Sequence, residues 1–142
     1  MSVQQLTPYL FFDGTADRAL ELYAQALDAK VEGLLRYEEM PEGVDTCPPE
    51  DKKRVMHALV HVGEARLMVS DVPSSRPEPA GGNVQIVVDF DDADEMARKF
   101  HALAASGTVH MALHDAFWGA KFGMLQDEFG IHWMFSCANE SR

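Results

Sequence analysis

Residues 8–27 read PYLFFDGTADRALELYAQAL, and residues 86–105 read IVVDFDDADEMARKFHALAA. Each opens on an apolar run of strand type, crosses an acidic turn and continues with apolar residues at helical spacing. Ala16, Ala19, Leu20, Tyr23, Ala26 and Leu27 make the first stripe; Ala93, Met96, Ala97, Phe100, Leu103 and Ala104 make the second. An offset of 78 places Phe12 on Phe90, Asp13 on Asp91, Ala19 on Ala97, Leu22 on Phe100, Ala26 on Ala104 and Val31 on Val109. Self-similarity of this kind is the signature of an internal repeat.

The segments outside the helices keep the same order. A strand is predicted over 5–12, a helix over 13–27 and a second strand over 29–38. The stretch from Met40 to Lys53, with three prolines, then reads as a loop. VMHALVHV (55–62) and ARLMVSD (65–71) are two strands separated by Gly63 and Glu64, as in a tight hairpin. In the second half, strands are predicted at 84–90, 107–113, 120–126 and 131–137, with a helix over 92–105. An offset of 66 aligns Leu67 with Trp133, Met68 with Met134 and Ser70 with Ser136. The expected architecture is one α+β domain over 1–142: a βαβββ module over about 5–71, a Pro/Ser/Gly linker over 72–83, and a second βαβββ module over about 84–138. Asp92 and Glu95 have the spacing of a capping box, so the acidic cluster from Asp89 to Glu95 reads as a helix start rather than a cation loop.

A net charge of −11 argues against nucleic-acid or anionic-membrane partners, because phosphates would be repelled. Cys47 and Cys137 give no disulfide framework and fit a reducing compartment; Cys47 reads as an incidental thiol. No apolar run reaches the ~18 residues of a membrane span, and the start MSVQQLTPYLFF lacks the pattern of a secretory signal. A cytoplasmic location is expected.

Period-two alternation assigns the two faces of each sheet. The set Met56, Ala58, Val60 and Val62, with Ile131, Trp133 and Phe135, turns to the helices. The opposite face receives Thr7, Tyr9, Phe11, His57, Leu59, His61, Arg66, Met68, Ser70, Gln85, Val87, His132, Met134 and Ser136. This mixture of aromatic, apolar and a few polar groups suits a ligand pocket, and equally a filled interior or a dimer face. The spacing of His110 and His114 means little on a strand, and both are expected to face solvent.

The segments PYLFFDGTADRALELYAQAL, VMHALVHVGEARLMVSD and FWGAKFGMLQDEFGIHWMF together resemble the PhnB-like branch of the vicinal-oxygen-chelate (glyoxalase/bleomycin-resistance) superfamily, over about Pro8 to Phe135. The resemblance implies that the paired modules form a cup-shaped, curved mixed sheet with helices on the convex face, commonly in a homodimer. It also implies that the metal enzymes of the superfamily hold a divalent ion from positions that here look like Thr7, Met68, Gln85 and Met134. Of these, Gln85 is the plausible ligand, and methionine thioethers are poor partners for hard ions. No metal is therefore expected at the usual positions, and no cofactor.

Two functional readings follow. The first is a protein binding a small hydrophobic or aromatic molecule among Tyr9, Phe11, His57, His61, Met68, Gln85, Trp118, Met124 and Met134. The alternative is a lyase or isomerase with His57 as general base or metal ligand. A vestigial cup serving only dimerisation is a third, structural reading. Relatives sometimes carry a methyltransferase label, but the sequence has no GxGxxG turn for such a cofactor and no GxSxG, Walker or CxxC motif.

Overall fold

In the computed structural model, which describes residues 5–40, 48–75 and 84–139, the elements follow the order expected from the sequence. They are β1 (Tyr9–Phe12), α1 (Ala16–Leu27), β2 (Lys30–Arg36), β3 (Val55–Val62), β4 (Ala65–Asp71), β5 (Ile86–Phe90), α2 (Ala93–Ala104), β6 (Thr108–Ala116), β7 (Ala120–Gln126) and β8 (His132–Ala138). Short 3-10 turns at Tyr37–Glu39 and Pro49–Asp51 stand between β2 and β3. The chain divides into two compact units, Met1–Pro79 and Ala80–Arg142. Cys47, the loop residues 41–47 and the linker residues 76–83 lie outside the described residues. Among those described, no helix is long and apolar enough to cross a membrane.

Each unit is a βαβββ module with a four-stranded mixed sheet, in the order β1-β4-β3-β2 and β5-β8-β7-β6. The outer pairs β1–β4 and β5–β8 are parallel; the remaining pairs are antiparallel. Parallel pairing requires a crossover, and the helix that follows β1 or β5 begins it.

The repeat extends to the register. Tyr9 pairs with Met68, and Val87 with Met134. Gly33 pairs with Leu59, and Met111 with Met124. Both second strands carry a β-bulge at equivalent places, between Val31 and Gly33 and between Val109 and Met111. The halves differ at the hairpin. Gly63, at φ 60°, helps turn β3 into β4 so that His61 pairs with Arg66. The β7–β8 connection is longer, and Gln126 pairs with His132.

One face of each sheet is covered by its helix. In the first unit all six stripe residues of α1 are buried, as are Leu10, Phe12, Ala58, Val60, Leu67 and Val69 of the sheet. In the second, Met96, Phe100 and Leu103 are buried with Leu125, Trp133 and Phe135, while Ala93, Ala97 and Ala104 are half-buried at the edges of the stripe. The Phe100 ring stands edge-on to Phe135, with centroids 5.5 Å apart. Burying each large side chain contributes roughly 1.5–3 kcal/mol.

Buried carboxylates tie loops to this core. Asp71 Oδ1 accepts hydrogen bonds from the backbone N–H of Gly14 (2.9 Å) and Ala16 (3.0 Å), and its Oδ2 accepts one from Val55 N–H (3.0 Å). A single side chain thus satisfies orphan donors at the start of α1 and fixes the entry of β3. In the second unit Asp127 accepts from the N–H groups of Phe129 and Ile131 and from Trp133 Nε1, which shapes the longer hairpin connection. Asp92 caps α2 as expected, accepting from Asp94 and Glu95 N–H.

Some boundaries differ from those read in the sequence. The first strand starts at Tyr9 because Pro8 has no N–H to offer the ladder, only a carbonyl that accepts from Met68 N–H. The second strand ends at Arg36, which the 3-10 turn follows, and the sixth runs on to Ala116.

Candidate functional site

The face of each sheet away from its helix carries the candidate residues. On the first sheet Tyr9 and Phe11 stack, with ring centroids 4.5 Å apart and planes 13° apart. The Tyr9 hydroxyl is hydrogen-bonded to His57 Nδ1 at 3.0 Å, and the two rings meet edge to face. Met68 lies in register between Tyr9 and Leu59. Tyr9, Phe11, His57 and Met68 are thus brought together.

His61 shares this face but not this group. It is four residues along the strand from His57, roughly 13 Å at strand rise, so the two imidazoles cannot share an ion. Its Nε2 instead contacts the Glu32 carboxylate, with Arg66 as its cross-strand neighbour. Ser70, expected on the open face, is buried: its hydroxyl donates to the Met56 carbonyl at 2.8 Å. Next to it Tyr37, which sequence reasoning missed, donates to the Asp71 carbonyl at 2.8 Å. Burial pushes the Tyr37 phenol above its ordinary value, helped by Asp71 and Asp51 and opposed by a hydrogen bond with Ser70. It remains a protonated donor at neutral pH.

On the second sheet the register lays out three rows. Asp89, Ser136, Phe122 and His114 form one; Val87, Met134, Met124 and Met111 form the next; His132 and Gln126 lie in the third, with Gln85 just before the start of β5. Trp118, in the turn between β6 and β7, stands edge-on to Phe122 at 5.3 Å and is 54% exposed. Its neighbour Phe117 is 96% exposed, a feature of the FWG turn that the sequence did not single out. Val87 and Met111 are also exposed. The middle row is apolar, and methionines adapt readily to the shape of what they contact.

His110 is exposed, as expected, and it also has side-chain neighbours: its Nε2 lies 3.2 Å from Gln126 Oε1, and its ring stacks on His132 with centroids 5.7 Å apart. The bulge between Val109 and Met111 breaks the strict alternation there.

The positions that the resemblance assigns to metal ligands carry unsuitable donors. Met68 and Met134 offer thioethers among apolar neighbours, and the Thr7 hydroxyl accepts from Gln5 Nε2 at 2.7 Å. Gln85 supplies one good oxygen. This set does not fit a hard divalent ion, which prefers several carboxylate or carbonyl oxygens. Among the described residues no three His, Cys, Asp or Glu side chains converge as a metal site.

Comparison with known proteins agrees with the fold. Residues 5–135 match the Glyoxalase/Bleomycin resistance protein/Dioxygenase superfamily. Protein YjdN of Escherichia coli strain K12 is 31% identical over 143 residues, covering 95% of this chain and 96% of its own. The structure of protein PA1353 from Pseudomonas aeruginosa is 36% identical with a TM-score of 0.85, over 97% of this chain and all of that one. The PhnB protein from Bacillus cereus shares the fold at 24% identity, with a TM-score of 0.77 over 95% of this chain and 100% of that one.

Proposed function

The chain belongs to the Glyoxalase/Bleomycin resistance protein/Dioxygenase superfamily, and from that premise we propose that it binds a small hydrophobic or aromatic molecule on its open sheet faces, without a divalent ion at the usual positions. The observation that carries this reading is the row Val87, Met134, Met124 and Met111, flanked by Phe122 and Trp118. An apolar strip with hydrogen-bonding groups along its edge is the usual make-up of a small-molecule site. The quoted segments support a place in the PhnB-like branch. The absence of a GxGxxG turn speaks against methyl transfer.

In this reading the protein is a cytoplasmic homodimer. Exposed apolar side chains on both sheets, and a free, buried Cys137, support it. Light scattering should give a mass twice the 15.8 kDa of the chain; a mass equal to one chain removes the dimer.

The two tryptophans make binding measurable. Trp133 is buried and Trp118 is half-exposed, so a planar aromatic probe on the second sheet should quench Trp118. We expect saturable quenching with a rise in unfolding temperature for at least one probe in a small-aromatic panel. Trp118→Phe should abolish the optical signal, and Met134→Lys should abolish binding while leaving the fold intact. A panel that neither quenches nor stabilises overturns the reading.

A second reading has its own observation. The 3.0 Å contact between Tyr9 Oη and His57 Nδ1 orients the imidazole, as a general base requires. His57→Gln in the same panel separates the two readings. Ligand binding retained with turnover lost favours a lyase or isomerase; binding retained with every detected turnover unchanged removes His57 from catalysis.

A further inference from the structure

We propose that His110 and His132, together with the side-chain oxygen of Gln126, bind one borderline divalent transition ion such as Cu²⁺, Ni²⁺ or Zn²⁺ on the open face of the second sheet. The inference does not rest on the ligand reading above, and the site is not one of the usual metal positions.

The donor spacing carries it. His110 Nε2 and Gln126 Oε1 are 3.2 Å apart. Metal bonds of about 2.0–2.1 Å meeting at about 90–110° place two donors roughly 2.9–3.4 Å apart, so this pair already has a chelating bite. The His110 and His132 rings stack, with centroids 5.7 Å apart and planes 12° apart, so one of these side chains has to turn about its Cα–Cβ and Cβ–Cγ bonds for both nitrogens to meet one ion. Gln126 and His132 are cross-strand partners, and the bulge brings His110 to the same face.

The donor chemistry selects the ion. Neutral imidazole nitrogen suits Cu, Ni and Zn, and an amide oxygen is tolerated as a third ligand. Two strong donors leave coordination positions for water or an added ligand, which is the arrangement of an open site rather than a closed structural one. Binding replaces the contact between His110 and Gln126 with two metal bonds, and a net charge of −11 raises the local concentration of cations.

The first half of the chain supplies an internal control. The positions equivalent to His110, Gln126 and His132 are Glu32, His61 and Arg66. There His61 engages Glu32, and an arginine stands where the second imidazole would be needed. A permanent guanidinium repels a cation, so the same scaffold position in the first half does not share the property.

The test uses the untagged full chain with Cu²⁺ as the probe, followed by calorimetry and electron paramagnetic resonance. One equivalent should bind with hyperfine splitting from two imidazole nitrogens. His110→Ala and His132→Gln should each weaken binding by at least about tenfold, as loss of a direct ligand requires, and His61→Ala and Gln85→Ala should leave it unchanged. All four side chains lie at the surface or half-buried, so unchanged unfolding midpoints will show that the loss is one of ligands. Failure to bind one equivalent overturns the proposal. So does binding that survives the double variant, or that is lost with His61 or Gln85 instead.

Discussion

Replacing Asp71 by alanine is expected to lower the midpoint of thermal unfolding by about 10 °C or more. Its carboxylate is 1% exposed and accepts three backbone hydrogen bonds, from Gly14, Ala16 and Val55. Removing it strands those three donors where water cannot replace the lost acceptor. At roughly 1–3 kcal/mol for each unsatisfied group, with partial relaxation, the loss is about 3–5 kcal/mol. Arg54 keeps partners in Asp13 and Asp51, so the damage is concentrated at the α1 start and the β3 entry. Asp71→Asn retains one carbonyl acceptor and should fall between the wild type and alanine. Both tryptophans belong to the other unit, so circular dichroism, not tryptophan fluorescence alone, should be used to follow the transition. A shift within 2–3 °C of wild type, corresponding to roughly 1 kcal/mol at this chain length, would show that the carboxylate is dispensable.

The second large effect concerns Phe100 and Gly123, which fill one volume between them. A Cβ on Gly123 would come within 2.9 Å of Phe100 Cε2 and 2.8 Å of Leu113 Cδ2. Gly123→Ala alone therefore overpacks the core and should cost about 1–3 kcal/mol. Phe100→Ala empties a site that is 1% exposed and should cost about 3–5 kcal/mol. The double variant should be more stable than the sum of the two losses by about 1 kcal/mol, because the added methyl enters the space the ring vacated. Relief is partial, since Leu113 and the Met111 carbonyl also press on that methyl. Denaturant titration of all four proteins checks this. Additive losses would mean that ring and glycine do not share the volume.

Much of the fold was readable because local and repeated signals agreed. All six apolar positions assigned to α1 are buried, and Phe12 and Phe90 occupy matching places at the ends of β1 and β5. Where the open face alternates strictly, as at Tyr9 and Phe11 or at His132 and Met134, counting in twos placed side chains on the correct side. It says nothing of a residue outside the pleat or of what lies over a face: His110 sits in a bulge, and Ser70, opposite Phe11 on the face expected of it, is buried beside Tyr37. Neither a bulge nor a covering tyrosine has a periodic signature. Grouping His57 with His61 respected the face but ignored the four-residue rise between them. The sharing of one buried carboxylate among Gly14, Ala16 and Val55 was also hidden, because it joins residues distant in sequence.

The paired bulges give the two halves a degree of independence that an unbroken ladder would deny them. An extra residue outside the count can change identity without shifting any neighbour's pairing, so a duplicated scaffold can diversify at that slot while its frame stays fixed. Here the slot holds an acid in one copy and an imidazole in the other. Substitutions at 32 and 110 can therefore exchange one recognition chemistry for another while the paired residues on either side stay in place.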